Sequence, residues 1–275
     1  MGLAEYYAVV SDYAPIPSSE SNPPTKINAK KALAVDDAVA EAHAVLGIAY
    51  DTDWAWSDAE REFQRALALD PNNSRTQFLY AYHLDYLGNF DESLAHYKRA
   101  VELDPLNLTA SFNFAAEHLS KRQYDTTIEM LKKTLEIDPN FAATHCNLSA
   151  AYLFKGDYES WLVELEKCNR LNNDADGLAR VEAAKQELPK TGFRGALRRV
   201  IALQEQQSKR IYIDPLWTAE SHALLGEKDQ AFAWLEKAYG EKSGRLAGIK
   251  GDPALDSLHS DPRYANLLKR MGLPQ

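Results

Sequence analysis

Small and large apolar residues alternate with turn residues along this chain on one fixed period. Asp70-Pro71, Asp104-Pro105 and Asp138-Pro139 recur at intervals of 34 residues. The same interval relates Gly47, Ala81, Ala115 and Ser149, and it relates Ala59, Ser93 and Thr127. Phe63, Tyr97, Leu131 and Leu165 keep step with them. The pattern predicts two antiparallel helices per period. Small residues stand where the helix axes cross, and large ones fill the layer between successive pairs. Each proline ends a helix and starts the turn into the next, because it has no N–H and its ring clashes with the preceding turn.

The signature runs Leu46-Gly47-x-x-Tyr50, Ala59-x-x-x-Phe63, Ala66 and Pro71. One period on stand Tyr80-Ala81-x-x-Leu84, Gly88, Ser93, Tyr97, Ala100 and Pro105. The third unit gives Phe114-Ala115, Tyr124, Leu131 and Pro139, and the fourth gives Leu148-Ser149, Tyr152, Gly156, Tyr158 and Leu165. This order of residues resembles the tetratricopeptide repeat over residues 40–172. It resembles it again over 212–245, on Ala219, Gly226, Ala231, Leu235 and Ala238. The resemblance implies an all-α fold, a right-handed superhelical solenoid of antiparallel helix pairs. Trp161 occupies a small-residue place, so the fourth pair is expected to be splayed or shifted.

The expected organisation is one continuous stack. Residues 1–37 form a divergent hairpin, with helices near Leu3 to Val10 and Lys26 to Ala34 on either side of APIPSSESNPPT. Residues 40–175 form four units, 176–211 a degenerate hairpin broken at Pro189-Lys190-Thr191-Gly192, 212–245 a fifth unit and 246–275 a cap. Asp261-Pro262 is expected to start the last helix, which ends near Met271. Such atypical ends cover the exposed apolar faces of a stack.

Composition agrees. Alanine occurs 39 times, against 13 Gly and 12 Pro, which favours close-packed helices. The net charge of −9 disfavours non-specific adhesion to nucleic acid or anionic lipid. No membrane span or secretory signal is readable, and Tyr6 stands where a myristoylation motif after Gly2 wants Ser or Thr. Cys146 and Cys168 lack any paired Cys/His spacing, which predicts two free thiols in a reducing cytoplasm. The sequons at Asn72, Asn107 and Asn147 are then chance matches.

Catalytic signatures are missing: no G-x-G-x-x-G, no G-x-x-x-x-G-K-[ST], no H-E-x-x-H and no G-x-S-x-G. The glycines of Gly240 to Gly251 read as a turn between the last repeat and the cap. Glu117, Glu164 and Glu166 have no accompanying nucleophile or oxyanion site, and His118 shares the packing register of Tyr50. The expectation is a non-enzyme without cofactor or metal.

Arrays of this kind bind extended peptides or helices along the surface lined by first helices. Ile48, Asp51, Phe78, Tyr82, Asp85, Tyr86, Phe112, Asn113, Asn147 and Phe154 fall in that register. Asn113 and Asn147, one period apart, are expected to grip a ligand backbone, since an amide donates and accepts at once, while the aromatic residues bury apolar side chains. Ala44, Ile48, Leu79 and Thr109 stand where a clamp for a chaperone tail needs polar or basic groups, which argues against that ligand. Arg194, Arg198 and Arg199, flanked by Lys190, Lys209 and Arg210, form a possible basic patch without the aromatic interleaving of nucleic-acid readout.

The leading reading is a protein-binding scaffold, monomeric or a weak homodimer, with no membrane and no direct nucleic-acid contact. A narrower resemblance rests on DTDWAWSDAEREFQRALALDP and on the tail from Asp214 to Pro274. Both are similar to the C-terminal repeat regions of bacterial signalling and transcriptional regulators. This implies the alternative reading, a regulatory or sensor module of a longer chain whose N-terminal effector domain is absent.

Overall fold

The computed structural model describes residues 18–274, with side chains from residue 22 onward. Helix α1 (Ser18–Val35) is followed by four hairpins. These are α2 (Ala40–Thr52) with α3 (Trp56–Leu69), α4 (Ser74–Leu87) with α5 (Phe90–Leu103), α6 (Leu108–Ser120) with α7 (Tyr124–Ile137), and α8 (Ala142–Lys155) with α9 (Tyr158–Leu171). The first helices begin at residues 40, 74, 108 and 142 and the second at 56, 90, 124 and 158, so both series advance by the period of the sequence. Beyond them lie α10 (Ala175–Gln207), α11 (Pro215–Leu224), α12 (Lys228–Gly240), two 3₁₀ segments (Gly244–Gly248 and Pro253–Leu258) and α13 (Pro262–Arg270). There is no strand among the described residues.

The turn chemistry shows why Asp-Pro marks each boundary. The Asp70 and Asp138 carboxylates accept from the backbone N–H two residues on, at 3.1 and 2.9 Å, and hold the chain between helices. Asn73, Asp157, Asp174, Asp214 and Asp261 cap the N-termini of α4, α9, α10, α11 and α13. Each such cap is worth about 1 kcal/mol.

The chain divides into two compact units. One holds the described residues up to Ala110 together with Glu236–Gly251 and the described residues from His259 on; the other holds Ser111–Leu235 with Asp252–Leu258. In the first, Val45, Leu46, Ala59, Phe63, Ala66, Leu79 and Leu84 form a continuous core. Phe63 closes on the missing side chain of Gly47: a methyl there would stand 2.8 Å from its ring. The cap also belongs here. Trp56 Nε1 donates to the Met271 carbonyl at 2.7 Å, and Lys250 Nζ donates to the Leu87 carbonyl at 2.6 Å. Leu246, Ile249 and Leu267 are buried as they return to the first two repeats. α13 starts and ends where Asp261-Pro262 and Met271 predict.

In the second unit Phe112, Ala115, Ile128, Leu131, Leu148 and Ala151 form one cluster, and Trp161, Leu162, Val181, Ala184 and Ala196 form another. Trp161 is absorbed by α10, where its ring meets Phe193 edge-on at 5.9 Å. The break expected near Pro189 lies at Gly192, whose φ of 70° and ψ of −172° kink α10 into two helical arms.

Two expectations need correction. The segment from Ser18 to Thr25, read as part of a break, is helical and carries Pro23 and Pro24 within α1. Two contacts anchor this stretch: Thr25 is buried, and Asn22 Nδ2 donates to Asp53 Oδ1 at 2.5 Å. The helix expected at Leu3 to Val10 lies outside the described residues. The thiols are not free either: Cys146 on α8 and Cys168 on α9 form a disulfide, their Cα atoms 5.0 Å apart. Their repeat partners Ala44 and Ala66 are both buried in the first hairpin's core. The inference to a reducing compartment loses its ground. Replacing both cysteines with alanine should lower stability by about 3 kcal/mol, from loop closure over 22 residues. Denaturant unfolding should show this loss, and dithiothreitol should reproduce it in the parent chain.

Candidate functional site

The first-helix residues separate by depth. On α4, Phe78, Tyr82 and Tyr86 follow helical spacing and form a ladder of rings, 6.2 Å from the first to the second and 5.1 Å from the second to the third. All three are half-buried, with Asp85 on the same helix also half-buried. Tyr86 continues edge-on to Trp56 at 6.2 Å. The cap closes this end of the ladder. Gly248 backs onto Tyr86, where a methyl would stand 3.8 Å from the ring, and burial against Leu87 pulls the Lys250 ammonium below its ordinary pKa.

Ile48 and Asp51, expected on the same face, are core residues. Asp51 is 1 % exposed and makes a 2.7 Å contact with Nδ1 of His83, which is fully buried. His83 Nε2 lies 3.1 Å from Glu60 Oε2, and Tyr80 donates its hydroxyl to the other Glu60 oxygen at 3.2 Å. Burial pushes the Asp51 carboxyl up to about 6, against the opposing pull of His83. Burial also pulls the His83 ring down, but the two carboxylates outweigh it and the net shift is upward. Tyr80, desolvated and beside Glu60, is pushed up to about 12. The ring faces a carboxylate at each nitrogen and is itself sealed from solvent, while the Glu60 side chain reaches the surface.

In the second unit Phe112 and Asn113 are buried, and Phe112 packs edge-on to Phe141 at 5.9 Å. Asn147 is half-buried, and its amide donates to the Ala143 carbonyl one turn back at 3.2 Å. Phe154 stacks on Tyr124 at 6.0 Å. In the basic patch, Arg194 donates to the Leu225 carbonyl and Arg198 pairs with Glu227, at 2.8 and 2.9 Å, both fastening α10 to the turn after α11. Arg199 is exposed.

A recurring polar staple escaped sequence reading. His43 contacts Glu62 at 2.7 Å and the Asp37 carbonyl at 3.0 Å. His145 repeats this with Glu164 at 2.6 Å and the Pro139 carbonyl at 2.9 Å. At the same register Gln77 takes the place of the histidine, meeting His96 at 2.5 Å and the Pro71 carbonyl at 2.8 Å. The signal was present, because His43 and His145, like Glu62 and Glu164, stand three periods apart. Each staple ties a first helix to its second helix and to the preceding turn.

Among the described residues no group of His, Cys, Asp and Glu could hold a metal, and no helix is long and apolar enough to cross a membrane. No curated protein matches the chain. Among solved structures, PilW, a widely conserved type IV pilus biogenesis factor, superposes with a TM-score of 0.57 at 16% identity, covering 76% of this chain and 94% of its own. PilF of Pseudomonas aeruginosa gives 0.53 at 17% identity, covering 76% and 91%. At these identities the likeness is one of fold. Models of the tetratricopeptide repeat match residues 49–107, 78–142 and 142–174. Residues 49–174 are therefore tetratricopeptide repeats, and the chain has the all-α repeat architecture built from them.

Proposed function

We propose that this protein is a non-catalytic scaffold that binds an extended peptide or partner segment on its first-helix face, with Phe78 and Tyr82 as the principal anchors. The observation that carries this reading is the ladder on α4. Its rings are half-buried, whereas Phe63, Tyr97 and Leu131 in the inter-helix layer are fully enclosed. Half-exposed, mutually braced rings present apolar area at little entropic cost, as binding hot spots do. Tyr86 serves the ladder from beneath the cap and is not itself an anchor. The Cys146–Cys168 disulfide favours an oxidising compartment for this activity over the cytoplasm.

The test is selection of peptides from a random display library on the folded chain, followed by affinity measurement with variants. Tyr82→Ser and Phe78→Ser should each weaken selected peptides by about tenfold or more, as loss of a hot-spot ring does. Arg199→Ala should leave binding unchanged. Peptides insensitive to both ring variants, with circular dichroism unaltered, would remove the α4 ladder from the site.

A further inference from the structure

The residue that ends each first helix adopts the left-handed conformation at every repeat: Trp54, Gly88, Arg122 and Gly156, with φ of 62°, 82°, 60° and 83°. Glycine takes this conformation freely, whereas a side chain costs roughly 1 kcal/mol or more there. Arg122 uses its side chain in an ion pair with Asp256. Trp54 does something else. It lines an open cavity of about 530 Å³, and Lys242, which lines it too, is a second left-handed residue with φ of 50°. Two strained, non-glycine side chains thus face one cavity, where glycine would have served the backbone better.

The cavity has an aromatic and a cationic side. Trp54 lies 5.3 Å from Tyr239, and Arg270 covers the Tyr239 ring at 4.0 Å while holding Glu236 through two bonds of 2.7 and 2.9 Å. Asp53 is engaged by Asn22 and Lys26. Lys242 and Lys269 are exposed and have no ion-pair partner among the described residues. Lys242 Nζ rests 5.7 Å from the centre of the Trp54 ring, over a face that a flat ligand can take while the ammonium moves to its charge. Two lysines without an ion-pair partner beside an aromatic ring suit an anion that carries a ring of its own.

We propose that this cavity binds a small anion carried on a planar ring, with the ring against Trp54 and the negative group between Lys242 and Lys269. Nucleoside monophosphates and aromatic carboxylates share this chemistry. The site is separate from the α4 ladder, so it stands or falls independently of peptide binding.

Calorimetric titration of the full chain with AMP, benzoate, adenosine and inorganic phosphate tests it. AMP or benzoate should bind, with adenosine and phosphate weaker by about tenfold or more, because each lacks one half of the contact. Lys242→Ala with Lys269→Ala should weaken the bound anion by a similar factor, and the affinity should fall with added salt. Trp54→Gly keeps the left-handed turn open to the backbone and should abolish the preference for the ring. The proposal is overturned if neither AMP nor benzoate binds, if phosphate binds as tightly as they do, or if both sets of variants leave affinity unchanged. If the lysines merely offset the helix C-termini that meet here, their removal lowers the melting temperature and no anion binds, which also overturns it.

Discussion

Replacing His83 with alanine should lower the stability of the fold by about 3–5 kcal/mol, the cost of breaking a buried charge pair from one side. The ring is fully enclosed between Asp51 and Glu60, and its loss strands an Asp51 carboxylate that is 1 % exposed. One Asp51 oxygen already has no hydrogen-bond partner, so the site has no spare donor to offer. Asp51→Leu combined with His83→Phe should recover most of the loss, since replacing both charges by apolar groups removes the desolvation cost with the attraction. Guanidinium denaturation of the three proteins measures this. A loss below about 1 kcal/mol for His83→Ala would show that the pair contributes nothing beyond its packing.

The same network sets a pH dependence whose sign follows from the shifts. His83 is raised above its ordinary 6.5 in the fold, so its contribution is complete below that value and fades as pH rises through the folded value. Asp51, raised from 3.8 to about 6, acts in the same direction: the fold favours its protonated form and loses that advantage as pH climbs through 6. Stability should therefore decline as pH rises above about 6.5 and His83 loses its proton, the Asp51 contribution having been lost by about pH 6, and His83→Gln should flatten the slope above 6.5. Carboxylates held low by surface partners, such as Asp157 and Glu227, change protonation only at lower pH and do not confound this window.

Phe63→Ala should cost about 3–5 kcal/mol, because the ring is fully buried in the core of the first hairpin and the space around it cannot collapse. Its neighbour sharpens the test. Gly47→Ala places a methyl 2.8 Å from the ring and should itself cost about 1–3 kcal/mol by overpacking. In a Phe63→Leu background the added methyl gains room, so the two substitutions should be less costly together than the sum of each alone. Coupling of about 1 kcal/mol in a double-mutant cycle is the expected reading. Strict additivity would mean that the helices part to admit the methyl, and that the small residue at the crossing is not required.

Gly47 and Phe63 illustrate what was legible in the amino-acid order. A position that must be small and a position that must be large are local demands of two helices crossing, and each repeat states them again. The starts of all eight repeat helices, the N-cap at Asp261 and the kink near Pro189 follow from such local chemistry. The face assignments were less complete. Phe78, Tyr82 and Tyr86 are half-buried, whereas Asp51, Ile48, Phe112 and Asn113, in the same register, are buried. Register fixes which side of a helix a residue occupies, whereas depth depends on what packs over that side.

The sequence by itself determined the period, the helix pairs and the close contacts within them, because every repeat states the same small and large positions again. Only the tertiary structure decided that Cys146 meets Cys168, that His83 sits between Asp51 and Glu60, and that the cap returns to Trp56, Tyr86 and Leu87. The last of these contacts joins residues 163 and 215 positions apart. No local pattern encodes such a separation, and the closing of apolar surface over Leu246, Ile249 and Leu267 selects it only once the repeats have stacked.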